Sequence, residues 1–168
     1  GHDPRWVLCR RPLVMSGGEL TLSMLDLDFD PVSKHYEAPL QVKATGGIYV
    51  IDDFGRQLVR PEDLLNRWIV PLERKVDFLT LHTGKKFQIP FDEIVIFSTN
   101  LSPEELMDAA FLRRIKYKIR IDLPTADDYA EIFRRMCILY KLPYPKHVVE
   151  YLLRDFYPKS KLPPSAVH

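Results

Sequence analysis

The sequence predicts an α/β fold built on a parallel sheet flanked by helices, and three observations carry that reading. Ile48-Tyr49-Val50-Ile51 is a continuous β-branched and aromatic run, the pattern of a strand covered on both faces. Ile94-Val95-Ile96-Phe97 is a second such run, assigned to the same sheet. Between them, Leu64, Leu65, Trp68, Ile69 and Leu72 recur at helical spacing, behind Pro61 and a first turn carrying Glu62 and Asp63. Pro71 is expected to kink or end that helix.

The remaining elements follow in order. Leu13 to Met15 reads as a short strand and Ser16-Gly17-Gly18 as a turn. Residues 20–29 mix alternating and helical spacing, so their type stays open. Residues 30–45 have few apolar side chains and read as loop with at most a short helix. Val76, Phe78 and Thr80, then Thr83-Gly84-Lys85-Lys86, then Phe87 and Ile89, predict a hairpin. Ser102, Pro103 and Glu105 have the order of a helix cap, first position and capping-box partner. Ile115, Tyr117, Ile119 and Ile121 alternate with Lys116, Lys118 and Arg120, which predicts a strand with one apolar and one basic face. After Pro124, Thr125 is placed to cap a helix with Ile132, Phe133, Met136, Leu139 and Tyr140 on one side. A further helix is expected from about Pro145 to Arg154, followed by a Pro-, Ser- and Lys-rich stretch.

With 168 residues, 46% of them hydrophobic and 28% charged, the chain can bury a core without disulfide or metal staples. A net charge of +1 gives no general pull toward nucleic acid or anionic membrane. Cys9 and Cys137 stand in no metal-ligand spacing and read as free thiols. No apolar run reaches the ~20 residues of a membrane span, and a cytoplasmic location is expected. His35, His82 and His147 are scattered, and no GxSxG elbow surrounds a serine.

Three segments can carry chemistry. Asp52 and Asp53 end the first buried run, and the carboxyl end of a parallel strand is where open α/β sheets bind ligands. Carboxylates there can hold Mg²⁺ through its waters and orient an attacking water; equally, they can cap the turn into Phe54-Gly55. Asn100 ends the second run, where its amide can hydrogen-bond a phosphate or the water beside it, or can serve as a turn residue. Arg113 and Arg114 follow Asp108-Ala109-Ala110-Phe111-Leu112, and a planar guanidinium suits a phosphate across a subunit boundary.

Together, in this order and spacing, these segments resemble the second half of an AAA+ ATPase module, over roughly residues 40–157. On that resemblance, Ile48 to Asp53 corresponds to the Walker B strand, with Asp52 in the magnesium role and Asp53 at the catalytic glutamate position. Asn100 corresponds to sensor 1, and Arg113-Arg114 to the arginine-finger region, Arg114 being favoured. The hairpin before Pro90-Phe91 is similar to that of the MoxR-like branch. The resemblance implies a partial P-loop-NTPase-type sheet over residues 1–123 and the beginning of an α-helical lid over 124–168. It also implies ATP and Mg²⁺ as cofactors, neighbouring subunits in a homo-oligomeric ring, and a protein substrate remodelled in a chaperone-like way.

The sequence departs from that pattern in three places. Asp53 stands where glutamate is usual. No Gly-x-x-x-x-Gly-Lys-[Ser/Thr] loop occurs; His82-Thr83-Gly84-Lys85-Lys86 comes nearest but lacks the upstream glycine. The lid ends before its later arginine. The chain is therefore expected to be the C-terminal portion of the module, inactive alone. A non-catalytic AAA+-like scaffold and a nucleic-acid-remodelling ATPase are the alternatives.

Overall fold

The computed structural model describes residues 3–5, 7–102, 109–160 and 164. The chain divides into two compact units, Gly1–Lys116 and Tyr117–His168.

In the first unit the regular elements are β1 (Leu13–Ser16), β2 (Asp28–Asp30), β3 (His35–Glu37), α1 (Leu40–Lys43), β4 (Ile48–Ile51), α2 (Pro61–Arg74), β5 (Val76–Thr80), β6 (Lys86–Pro90), β7 (Ile94–Phe97) and α3 (Ala109–Leu112). A 3₁₀ turn spans Ser23–Leu25. Strands β1, β4 and β7 form a parallel sheet in that order, with Leu13, Ile48 and Ile94 abreast at one end and Ser16, Ile51 and Phe97 at the other. The predicted parallel sheet with flanking helices is thus present. Gly47 fixes where β4 enters it, because a Cβ there would lie 2.1 Å from the Pro12 carbonyl oxygen. That same oxygen accepts the Ile48 N–H at 2.9 Å, so the close approach belongs to the ladder.

Tyr49 and Ile51 point into the core, where they meet Leu20 and Leu25 from the β1–β4 connection and Leu64, Leu65 and Trp68 from α2. Trp68 lies between Tyr49 and Phe91, with ring centroids 5.6 and 5.5 Å away. Each such fully buried large side chain contributes roughly 1.5–3 kcal/mol. The opposite face of the sheet is open. Leu13, Met15, Ile94 and Ile96 are between 44% and 66% exposed, so the expectation of strands covered on both faces holds for one face only. Both connections lie over the Tyr49 face, which leaves nothing among the described residues of this unit over the other.

Three further expectations change. Residues 28–37 form an antiparallel hairpin, pinned by tertiary contacts: Phe29 stacks on His82 at 4.0 Å, and the Tyr36 hydroxyl hydrogen-bonds the His82 ring. Pro71 neither ends nor interrupts α2, which runs on to Arg74 before Lys75 closes it in a left-handed conformation. Residues 115–121 join no ladder, and Tyr117, Ile119 and Ile121 are more than four-fifths exposed. Strand periodicity there meets no neighbouring strand among the described residues. The helix expected after Ser102 falls on residues outside those described. The β5–β6 hairpin forms as predicted, with Gly84 at its tip in the left-handed region (φ +82°), so His82–Lys86 is a hairpin turn.

A buried polar network ties four elements together. Asp77, 2% exposed, accepts both guanidinium nitrogens of Arg67 at 2.6 and 2.8 Å, Gln41 Nε2 at 3.1 Å and the Phe78 N–H at 2.7 Å. Gln41 and Arg67 both also donate to the Leu25 carbonyl, at 2.8 and 3.1 Å. Such an arrangement satisfies a carboxylate taken out of water, which is otherwise costly.

In the second unit, α4 (Ala126–Leu139) begins at a capping box in which Thr125 and Asp128 each accept the other's backbone N–H. α5 (Lys146–Tyr151) continues through a π-helical turn, Leu152–Phe156, into α6 (Tyr157–Ser160). Tyr129, Cys137 and Val149 are buried, and the Tyr129 and Tyr157 hydroxyls lie 3.1 Å apart. Arg134 and Arg135 hold the Glu131 carboxyl down at about 2.

Arg67→Ala leaves Asp77 buried without its main counter-charge, and is expected to lower the unfolding free energy by about 3 kcal/mol. Urea denaturation followed by circular dichroism reads the change.

Candidate functional site

The carboxyl ends of β1, β4 and β7 deliver three short segments to one edge of the sheet: Gly17-Gly18, Asp52-Asp53 and Ser98-Thr99-Asn100. Backbone bonds carry the ladder into these segments. The Asp52 N–H donates to Ser16 O at 2.8 Å, and the Ser98 N–H to Ile51 O at 3.0 Å. Beyond the strands, the Phe54 N–H donates to Ser98 O and Thr99 Oγ1 to Phe54 O, both at 2.8 Å. The β4 and β7 segments are therefore laced together side by side.

Asp53 has φ +48°, a left-handed conformation that Asp tolerates better than most side chains. A side chain absent from the sequence reading holds this turn. Gln57 Nε2 lies 3.1 Å from Asp52 O, 3.3 Å from Asp53 O and 3.4 Å from Gly17 O, while its Oε1 accepts the Gly55 N–H at 2.8 Å. One amide thus spans the β1 and β4 segments. Nothing in the sequence flags it, since a glutamine four residues past a turn has no distinctive pattern.

Asp52 is half-buried and Asp53 exposed, and neither carboxylate has a hydrogen bond or ion pair among the described residues. The same holds for the Asn100 side chain, which is exposed. Two acids and an amide on adjacent strand ends, none committed to a protein partner, suit a hard divalent cation and its waters. Below them the packing is closed: Ser16 is buried with its Oγ 2.9 Å from the Tyr49 hydroxyl, and burial pushes that phenol up to about 12.

The two arginines differ. Arg114 is half-buried, with Nε 2.5 Å from Glu73 Oε1 near the end of α2. Arg113 is exposed and carries no ion pair among the described residues. Glu73 was not foreseen, being 41 residues away in sequence.

In fold, the chain is similar to NtrX from Brucella abortus, with a TM-score of 0.55 at 14% identity over 79% of this chain and 32% of that one. NtrX in complex with ADP matches comparably, with a TM-score of 0.54 at 15% identity and the same coverage. The likeness is one of fold, an α/β module with a parallel sheet flanked by helices. The chain spans about a third of the length of these neighbours. Residues 125–168 match a family model described as a domain of unknown function, DUF8689. No curated protein matches in sequence. Among the described residues, no helix is long and apolar enough to cross a membrane.

Gln57→Ala removes the clamp on the Asp52-Asp53 turn, and is expected to cost about 1–3 kcal/mol through the carbonyls it leaves unpaired. It should also raise amide exchange at Phe54 and Arg56 more than at α2. Hydrogen-exchange mass spectrometry separates that local loosening from a global loss of stability.

Proposed function

We propose that this chain supplies the metal- and water-holding half of the ATP site of an AAA+-type ATPase whose nucleotide cycle remodels a partner protein. The observation that carries the reading is the set of uncommitted groups, Asp52, Asp53 and Asn100, at the carboxyl edge of adjacent parallel strands. In this reading Asp52 holds Mg²⁺, whose charge offsets that developing on the phosphate oxygens. Asp53 and Asn100 orient the attacking water. Asp53 has one methylene fewer than the usual glutamate, and its left-handed backbone alters where the shorter carboxylate starts. An arginine from a neighbouring subunit of a homo-oligomeric ring completes the charge stabilisation. Arg114 fits that role if it exchanges Glu73 for phosphate, whereas Arg113 needs no such exchange. The division into a nucleotide-binding portion over 1–123 and a lid over 124–168, and the MoxR-like affiliation, belong to the same reading.

Residues 1–168 contain no phosphate-gripping glycine loop, so this reading requires the half of the site that holds the β- and γ-phosphates to come from outside them. A specific observation favours a second reading, a non-catalytic AAA+-like scaffold: Arg114 is already engaged within its own subunit by Glu73.

Calorimetric titration of the 168-residue chain with Mg²⁺-ATP is expected to give weak or absent binding heat and no measurable turnover; tight, magnesium-dependent binding would overturn the assignment of phosphate gripping elsewhere. In a polypeptide that includes the phosphate loop, Asp53→Asn should abolish ATP turnover while sparing ATP binding. An unchanged rate would remove Asp53 from the mechanism.

A further inference from the structure

Gln57 is buried, and its amide fits its surroundings in one orientation only. Oε1 accepts the Gly55 N–H at 2.8 Å, which turns Nε2, a donor, to the carbonyls of Asp52, Asp53 and Gly17. Those three carbonyls differ in what else holds them. Asp53 O also accepts the Arg56 N–H at 2.9 Å, and Gly17 O the Leu20 N–H at 3.2 Å. The peptide joining Asp52 to Asp53 has, among the described residues, one hydrogen bond, from Gln57 Nε2 to Asp52 O at 3.1 Å.

The peptides on either side are fixed independently of Gln57. The Asp52 N–H donates to Ser16 O, and the Phe54 N–H to Ser98 O, both at 2.8 Å. The Asp52–Asp53 peptide is therefore a plane hinged between two anchored ones. Rotating such a plane changes ψ of the first residue and φ of the second, and leaves the flanking chain in place. Asp53 has φ +48°, a conformation that crowds the Cβ of any L residue. Rotation to negative φ would relieve that crowding, and it would tilt the Cα–Cβ bonds of both acids. Gln57 opposes the rotation by holding the Asp52 carbonyl.

We propose that Gln57 is a positioning residue for the divalent cation: by holding the Asp52–Asp53 peptide in this orientation it sets both carboxylates where a metal and its waters need them. Such a set of ligands has to be placed to within about 0.5 Å, a tolerance that a tilted Cα–Cβ bond exceeds. The inference rests on the reading of Asp52 and Asp53 as metal-holding carboxylates. Gln57 acts only through them, since its Nε2 is a donor and its Oε1 is taken by Gly55.

Mn²⁺, which shares the octahedral oxygen preference of Mg²⁺, tests this on the 168-residue chain without nucleotide. Bound metal is read from the loss of the free-ion electron paramagnetic resonance signal. The unsubstituted chain should bind Mn²⁺, and the double variant Asp52→Asn/Asp53→Asn should lose that site. Gln57→Ala and the shorter amide Gln57→Asn should each weaken binding about tenfold, the size of effect seen when outer-shell support is removed. Tyr36→Phe, which removes hydrogen bonds to His82 instead, should leave the affinity within about twofold. Circular dichroism and melting midpoints establish that each variant is folded at the temperature of the titration. If Gln57 only stabilises the fold, its variants lower the melting midpoint and leave Mn²⁺ affinity unchanged; that result overturns the inference and spares the metal reading. No Mn²⁺ binding by the unsubstituted chain, or equal binding by the double variant, removes the metal reading and the inference together.

Discussion

The parallel pairing of β4 with a strand on each side is the constraint on which the rest depends. Its register against β1 begins where Gly47 passes the Pro12 carbonyl too closely for any side chain. From that point Tyr49 and Ile51 are committed to one face and Ile48 and Val50 to the other, since a slip of one residue would exchange the two sets. The core then assembles on the Tyr49 side, with Trp68 filling the space between Tyr49 and Phe91. The same register brings Asp52 abreast of the end of β7, so the position of the acids is a consequence of the packing four residues earlier.

Around this sheet, the elements that lack large apolar faces are held by polar and aromatic contacts. Asp77 gathers Arg67 and Gln41, and through the Leu25 carbonyl also the 3₁₀ turn, so β5, α2 and α1 share one buried charge. His82 does comparable work at the periphery, where its ring stacks on Phe29 and bonds Tyr36. The result is a unit whose apolar core lies under the covered face and whose polar edge is laced by Thr99, Phe54 and Gln57.

Elements that declare themselves locally were legible in the sequence. The runs at Ile48 and Ile94, the stripe of α2, the β5–β6 hairpin and the Thr125 cap each carry their signal within a dozen residues. The Asp28–Glu37 hairpin was not legible, because two aromatic residues give too little pattern and its support comes from His82, 46 residues away. Residues 115–121 show the converse: their alternation is that of a strand, but a strand requires a neighbour. At the site, Asp52, Asp53 and Asn100 could be named because strand ends are visible in the sequence. Gln57 and Glu73 could not, since their roles exist only through contacts made by the fold.

The bare face and the polar edge have a common origin in strand order. In open α/β sheets, ligands settle where the direction of strand succession reverses, because there the connections diverge to opposite faces and leave a crevice. Between β1 and β7 the succession never reverses, so no crevice opens among these three strands, and their edge presents Asp52 and Asn100 on an open shelf.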